Sequence, residues 1–269
     1  MRIVDRGGGT PVVVIPGIQG RWEWMAPAID ALAPRCRVVT FSLADEPTCG
    51  GRFEEARGFD CYVEQVREAL DAAGLQKAAI CGVSYGGLVA AAFAARYPDR
   101  VASLIMVSAV PPSWQPDARV RFYLQAPRLL TPLFLVASLR MYREVAAAHG
   151  GYLRGAAAGL RHGWRVLTHM FSPVRMARRV RFLPPPQLQR DLEALHVPTL
   201  VVTGERKLDR VVPVDRTREY RRLWPHAEAV TIQHTGHLGL ITRPQEFARL
   251  VASFAKSVER DADTRRRVG

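Results

Sequence analysis

The sequence predicts an α/β protein, a mostly parallel sheet flanked by helices with a helical cap inserted into it, and three observations carry that prediction. Short runs rich in β-branched residues alternate with stretches of helical periodicity. The runs are apolar throughout instead of alternating with polar residues, the pattern of strands buried on both faces. Between Pro111 and Leu195 the strand texture disappears, and it resumes at Val197 and Pro198.

In chain order the strand runs are Pro11 to Ile15, Arg37 to Phe41, Ala78 to Cys81, Val101 to Val107, Thr199 to Thr203 and Ala229 to Ile232. Helical spacing marks Tyr62 to Ala73 and Leu88 to Tyr97, and Pro98 with Asp99 stops the second helix. From Pro111 onward, Thr131-Pro132, Ser172-Pro173 and Pro184-Pro185-Pro186 punctuate helical stretches rich in Leu, Ala and Arg. The expected organisation is a core made of residues 1–110 and 196–258, a helical cap over 111–195, and a disordered basic tail over 259–269.

A chain of 269 residues, 48% of them apolar, can bury one sizeable core with an insertion. Met1 to Thr10 carries no apolar h-region, and no later window reaches eighteen uncharged apolar residues. The expectation is a soluble, cytoplasmic protein without stable membrane anchoring. Cys36, Cys49, Cys61 and Cys81 form no paired CxxC arrangement and are too sparse for a disulfide scaffold, which predicts reduced thiols.

The net charge of +13 raises the question of nucleic acid, but no nucleic-acid motif accompanies it, so no such partner is expected. Arginine supplies almost all the excess, between Arg119 and Arg190 and again at Arg265, Arg266 and Arg267. Arg119, Arg121, Arg128, Arg140, Arg143, Arg154, Arg161 and Arg165 form either a solvated helix face or a site for a substrate carboxylate. His149, His162, His169, His196 and His226 lack the spacing of metal ligands, and no metal is expected.

The strongest local signal is Gly82-Val83-Ser84-Tyr85-Gly86-Gly87, between a strand and a helix. A serine nucleophile on a sharp strand-to-helix turn needs that context, with glycines where strand and helix approach too closely for side chains. Serine also needs a base, and the base an orienting acid. His234 and His237 compete for the first role; His237 follows Gly236 at the start of the last helical region, whereas His234 lies nearer the strand end. Glu205 and Asp209, in Gly204 to Pro213, are the two candidate acids. An oxyanion would be met by the Tyr85 N–H after the nucleophile and the Ile18 N–H in the loop Ile15 to Gly20.

Together, the strand ending in Pro16-Gly17, the turn at Ser84, Gly204 to Pro213, and Gly236-His237 followed by Pro244 resemble the α/β-hydrolase superfamily. Within it the pattern resembles small capped esterases and carbon-carbon hydrolases, with a helical lid after the sixth strand of that fold. The resemblance implies a serine acyl-enzyme, no cofactor and a small-molecule substrate. Its chain order, nucleophile then acid then histidine, is met by the loop after the last strand, where the place of His237 after Gly236 favours it over His234, and counting back from Val212-Pro213 places the acid at Asp209.

Three departures stand out. Pro16 occupies the place of the usual histidine, Gly204 to Asp209 is longer than the usual Gly-x-x-Asp, and the short N-terminus predicts the loss of a strand or two at that edge of the sheet. The substrate is expected between the strand ends and the lid, with Gln19, Tyr123, Leu133, Trp164 and Leu238 as pocket residues. Serine at the turn argues against alkyl-enzyme chemistry, which uses aspartate there. The leading expectation is hydrolysis of small or medium carboxylic esters. The alternatives are cleavage of a carbon-carbon bond in a vinylogous diketone acid and a non-catalytic ligand-binding protein on the same fold.

Overall fold

The structure, a computed structural model, describes residues 1–268, except the side chains of residues 158, 161–163, 165–167 and 266–268. The side chains of Arg161, His162, Arg165, Arg266 and Arg267 therefore lie outside the described residues.

Among the described residues seven strands build one sheet: β1 (Val4–Arg6), β2 (Pro11–Ile15), β3 (Arg37–Thr40), β4 (Ala78–Val83), β5 (Val101–Val107), β6 (Thr199–Thr203) and β7 (Glu228–Thr231). Their spatial order is β1-β3-β2-β4-β5-β6-β7. All neighbours are parallel except β1, which pairs antiparallel with β3 through Val4 and Thr40. The six apolar runs are all strands. β1 is a seventh that the sequence did not announce, because three residues reading Val-Asp-Arg carry no pattern of their own and are extended only by pairing. The leading edge thus holds this single strand and no hairpin.

Among the described residues thirteen α-helices accompany the sheet: α1 (Ala26–Leu32), α2 (Asp60–Ala72), α3 (Tyr85–Arg96), α4 (Ala118–Gln125), α5 (Thr131–Ser138), α6 (Tyr142–Ala148), α7 (Tyr152–Thr168), α8 (Pro173–Arg181), α9 (Leu188–Glu193), α10 (Val214–Thr217), α11 (Tyr220–Leu223), α12 (Gly239–Thr242) and α13 (Pro244–Val268). Alternate residues of each strand point to opposite faces, so the core divides in two. Val13, Ile15, Ile80, Leu104 and Met106 pack with residues of α2 and α3 on one face. Val12, Val14, Ala79, Cys81, Ile105 and Val107 pack with residues of α1 and α13 on the other. Full burial pushes the Cys81 thiol up to about 12, as suits a core residue.

Helices α4 to α9 lie between β5 and β6, within the segment where strand texture was absent. The segment joins the core through the ends of the sheet that follow β2, β4 and β7. Trp24 Nε1 donates to His169 O at 2.9 Å, and Tyr85 Oη donates to Phe182 O at 3.1 Å.

The expected disordered tail is corrected. α13 continues to Val268 because Phe247, Val251, Phe254 and Ala255 bury its first turns, after which each added residue extends the helix at little cost. Thr10 Oγ1 donates to Glu259, and Asp261 lies four residues before Arg265, a spacing that supports helix. No helix of the described residues is long and apolar enough to cross a membrane.

Candidate active site

Ser84 stands between β4 and α3 with φ 52° and ψ −115°, a conformation that costs any residue with a Cβ. Its surroundings compensate: Ser84 N donates to Val107 O at 2.9 Å, and Ser84 O accepts from Gly87 N at 2.9 Å and Val110 N at 3.1 Å. The flanking glycines are sterically required. A Cβ on Gly82 would lie 2.4 Å from Gly86 O, and one on Gly86 would lie 2.5 Å from Ile15 O. α3 begins at Tyr85, three residues earlier than the periodicity at Leu88 suggested. Ser84 is therefore the helix N-cap, where the helix dipole favours negative charge.

The loop after β2 comes to the same place. Gly20 N donates to Gly17 O at 2.9 Å and closes a turn over Ile18 and Gln19. A Cβ on Gly17 would meet Gln19 Oε1 at 3.1 Å and Ser84 Cβ at 3.5 Å, which puts the end of the Gln19 side chain and Ser84 both against that glycine. Ile18 is half-buried, and its carbonyl oxygen accepts from Arg179 Nη1 at 2.6 Å.

The loops after β6 and β7 meet backbone against backbone. A Cβ on Gly204 would lie 2.4 Å from Gly236 Cα, and one on Gly236 would lie 2.5 Å from Asp209 N. This contact brings Asp209 Oδ2 to 3.4 Å from His237 Nδ1, with both side chains buried. Asp209 Oδ1 accepts from Val211 N and Val212 N, each at 3.0 Å, which fixes the carboxylate plane and leaves Oδ2 to the imidazole. Glu205 does something else: its Oε1 accepts from His234 N at 2.7 Å, and His234 itself is exposed. Leu238, next to the imidazole, is half-buried.

The helical segment supplies parts of the site that the sequence did not single out. Arg179 on α8 is fully buried and donates to Asp45 Oδ1 at 3.0 and 2.7 Å, to Glu46 Oε1 at 2.5 Å and to Ile18 O. Gly20, at φ 80°, leaves room for it, since a Cβ there would lie 2.3 Å from the guanidinium. Glu144 on α6, 1% exposed, accepts from the histidine loop. Nothing in the sequence sets Arg179 apart from its neighbour Arg178. Glu144 carried a signal, as the one acidic residue amid thirteen arginines between Ala118 and Arg190.

Of the expected lid residues, Tyr123 is half-buried within an aromatic row. Its ring lies 5.8 Å from that of Phe134, Phe134 lies 5.9 Å from Phe171, and Phe171 lies 5.7 Å from Trp24 beside the core. Leu133 and Trp164 are not in this row and are 49% and 69% exposed. Trp24, Phe134 and Phe171 link the inserted segment to the core, a contact that depends on which aromatic reaches across and that periodicity does not encode.

Residues 10–244 match the family described as alpha/beta hydrolase fold. The chain is 27% identical over 268 residues to the 2-hydroxymuconate semialdehyde hydrolase of Pseudomonas putida, spanning 93% of this chain and 88% of that protein. It is 26% identical over 239 residues to the pimeloyl-[acyl-carrier protein] methyl ester esterase of Yersinia enterocolitica, spanning 85% and 86%. Among solved structures it is similar in fold to the bromoperoxidase from Bacillus anthracis, with a TM-score of 0.76, 20% identity, and 94% of each chain covered.

Proposed function

The chain belongs to the alpha/beta hydrolase fold family, and from that premise we propose that it is a serine hydrolase cleaving small or medium carboxylic esters through an acyl-enzyme on Ser84. The observation that carries this reading is the strained serine at the N-terminus of α3, with the Asp209–His237 pair on the loops after β6 and β7 held by the contact of Gly204 with Gly236.

In the proposed reaction His237 takes the Ser84 hydroxyl proton as Oγ attacks the ester carbonyl, and Asp209 holds the imidazole tautomer and stabilises the imidazolium without accepting the proton. The Tyr85 and Ile18 amides meet the oxyanion, the alcohol leaves with the proton from His237, and water releases the acid by the same steps. The segment carrying α4 to α9 acts as a lid that excludes water and contacts the variable part of the substrate. The esterase among the relatives supports the ester reading.

A second reading, carbon-carbon cleavage in a vinylogous diketone acid, draws on thirteen arginines against one acid between Ala118 and Arg190 and on the semialdehyde hydrolase relative. The first test is a fluorophosphonate probe: labelling at Ser84, lost in Ser84→Ala, is expected, and Ser84→Ala should lower kcat on the order of a millionfold. Unlabelled protein, or more than about a hundredth of the wild-type rate in the variant, would overturn the mechanism. Aryl esters assayed against diketone acids then separate the two substrates.

A further inference from the structure

Glu144 is buried in a segment that offers it arginines, yet its hydrogen bonds reach across to the core. Its Oε1 accepts from Thr235 Oγ1 at 2.9 Å, from Gly236 N at 2.7 Å and from Leu238 N at 2.5 Å. Its other oxygen is buried with no hydrogen-bond partner among the described residues. A buried carboxylate is costly, and an apolar residue of similar volume would pack α6 against the loop at less expense. What an apolar residue could not do is draw two backbone amides onto one point.

Those amides belong to the residues immediately before and after His237. With both peptides pinned to Glu144 Oε1, the backbone of His237 has little freedom, and the direction of its Cα–Cβ bond is set. Gly236 is held a second time by its contact with Leu208 and Asp209. The imidazole is therefore fixed from two sides, by the acid loop and by the inserted segment.

We propose that Glu144 is a positioning residue for His237, clamping the backbone on both sides of it, so that the segment carrying α6 is a working part of the catalytic machinery as well as a cover. The inference rests on the reading of His237 as the general base. It predicts a geometric requirement, because a misplacement of about 1 Å in a catalytic group can cost on the order of a hundredfold in rate.

The test compares Glu144→Asp, which keeps the charge but draws the oxygens back by one methylene, with Glu144→Gln, which keeps an acceptor oxygen in place. Each is measured for kcat, KM, the rate of fluorophosphonate labelling at Ser84 and thermal midpoint. Glu144→Asp is expected to lose roughly tenfold to a hundredfold in kcat and in labelling rate, with KM within about threefold. Glu144→Gln should recover kcat to within about fivefold of wild type. A folded Glu144→Asp with kcat within about threefold of wild type, or variants in which KM changes and kcat does not, would overturn the proposal. His237→Ala serves as the control: if it remains active the base reading itself fails, whereas an inactive His237→Ala beside a fully active Glu144→Asp removes only the role of Glu144.

Discussion

The guanidinium of Arg179 donates to the carbonyl oxygen of Ile18 at 2.6 Å, so a fully buried cation of the inserted segment fixes the loop that flanks Ser84. The same guanidinium holds Asp45 and Glu46, and the three charges stand together out of water. Pro16 occupies the position where the resemblance leads one to expect a histidine shaping this loop, and Arg179 reaches it from outside.

Arg179→Met should therefore be among the most destabilising single changes in the chain. It would leave Asp45 buried without a counter-charge and Glu46 with only Arg175, at 3.7 Å, a loss of about 3–5 kcal/mol. Denaturant unfolding checks this. Restoring neutrality with Asp45→Asn and Glu46→Gln in the same chain should recover part of the loss, and a single variant within about 1 kcal/mol of wild type would contradict the role.

The two acids near the histidine loop make separable predictions. Asp209 faces His237 Nδ1, whereas Glu205 ties down the His234 amide. Asp209→Asn should lower kcat by roughly ten-thousandfold through the wrong tautomer, with little loss of stability. Glu205→Gln should change kcat less than about tenfold. A larger loss for Glu205→Gln would reverse the assignment.

Gly236→Ala tests the contact between the loops after β6 and β7. The added Cβ would fall 2.5 Å from Asp209 N and from Leu208 C, both backbone atoms that move only with their loop. Overpacking of this kind costs about 1–3 kcal/mol, and the shift should part Asp209 from His237 and reduce kcat at least about tenfold. Wild-type kcat in a folded Gly236→Ala would show that the pair tolerates movement of the loop.

The stability conferred at Glu144 should depend on pH. Burial pushes its carboxyl above the ordinary value, and the bonds from Gly236, Thr235 and Leu238, with the nearby His237, offset this only in part. The folded chain therefore holds a proton there at pH values where the unfolded chain has lost it. Stability contributed at this position is greatest below the ordinary carboxylate value of about 4.3 and declines as pH rises through the raised value. Thermal midpoints of wild type and Glu144→Gln across that range should thus diverge, wild type losing ground relative to the variant as pH increases. Parallel curves, or the opposite trend, would exclude the shift.

The sequence by itself determined the sheet and the turn at Ser84, because both are written in residues close together in the chain. Unbroken Val and Ile runs announce parallel strands. Gly82 and Gly86 announce the turn, since the contacts that demand glycine arise within a few residues of the serine or at the adjoining strand. The Asp209 and His237 loops were visible as glycine-marked segments after strands. Local signals failed for β1, which is a strand only because β3 lies beside it, and for the last turns of α13, which the buried first turns of that helix propagate. They failed most completely for Arg179 and Glu144. Arg179 is 134 residues from Asp45 and Glu144 is 91 from Thr235, and a charged residue on a helix looks the same in sequence whether it meets water or the core. Only the packing of the inserted segment onto the strand ends decided that these two are buried, and burial is what turns an ordinary charge into a fixed point of the site.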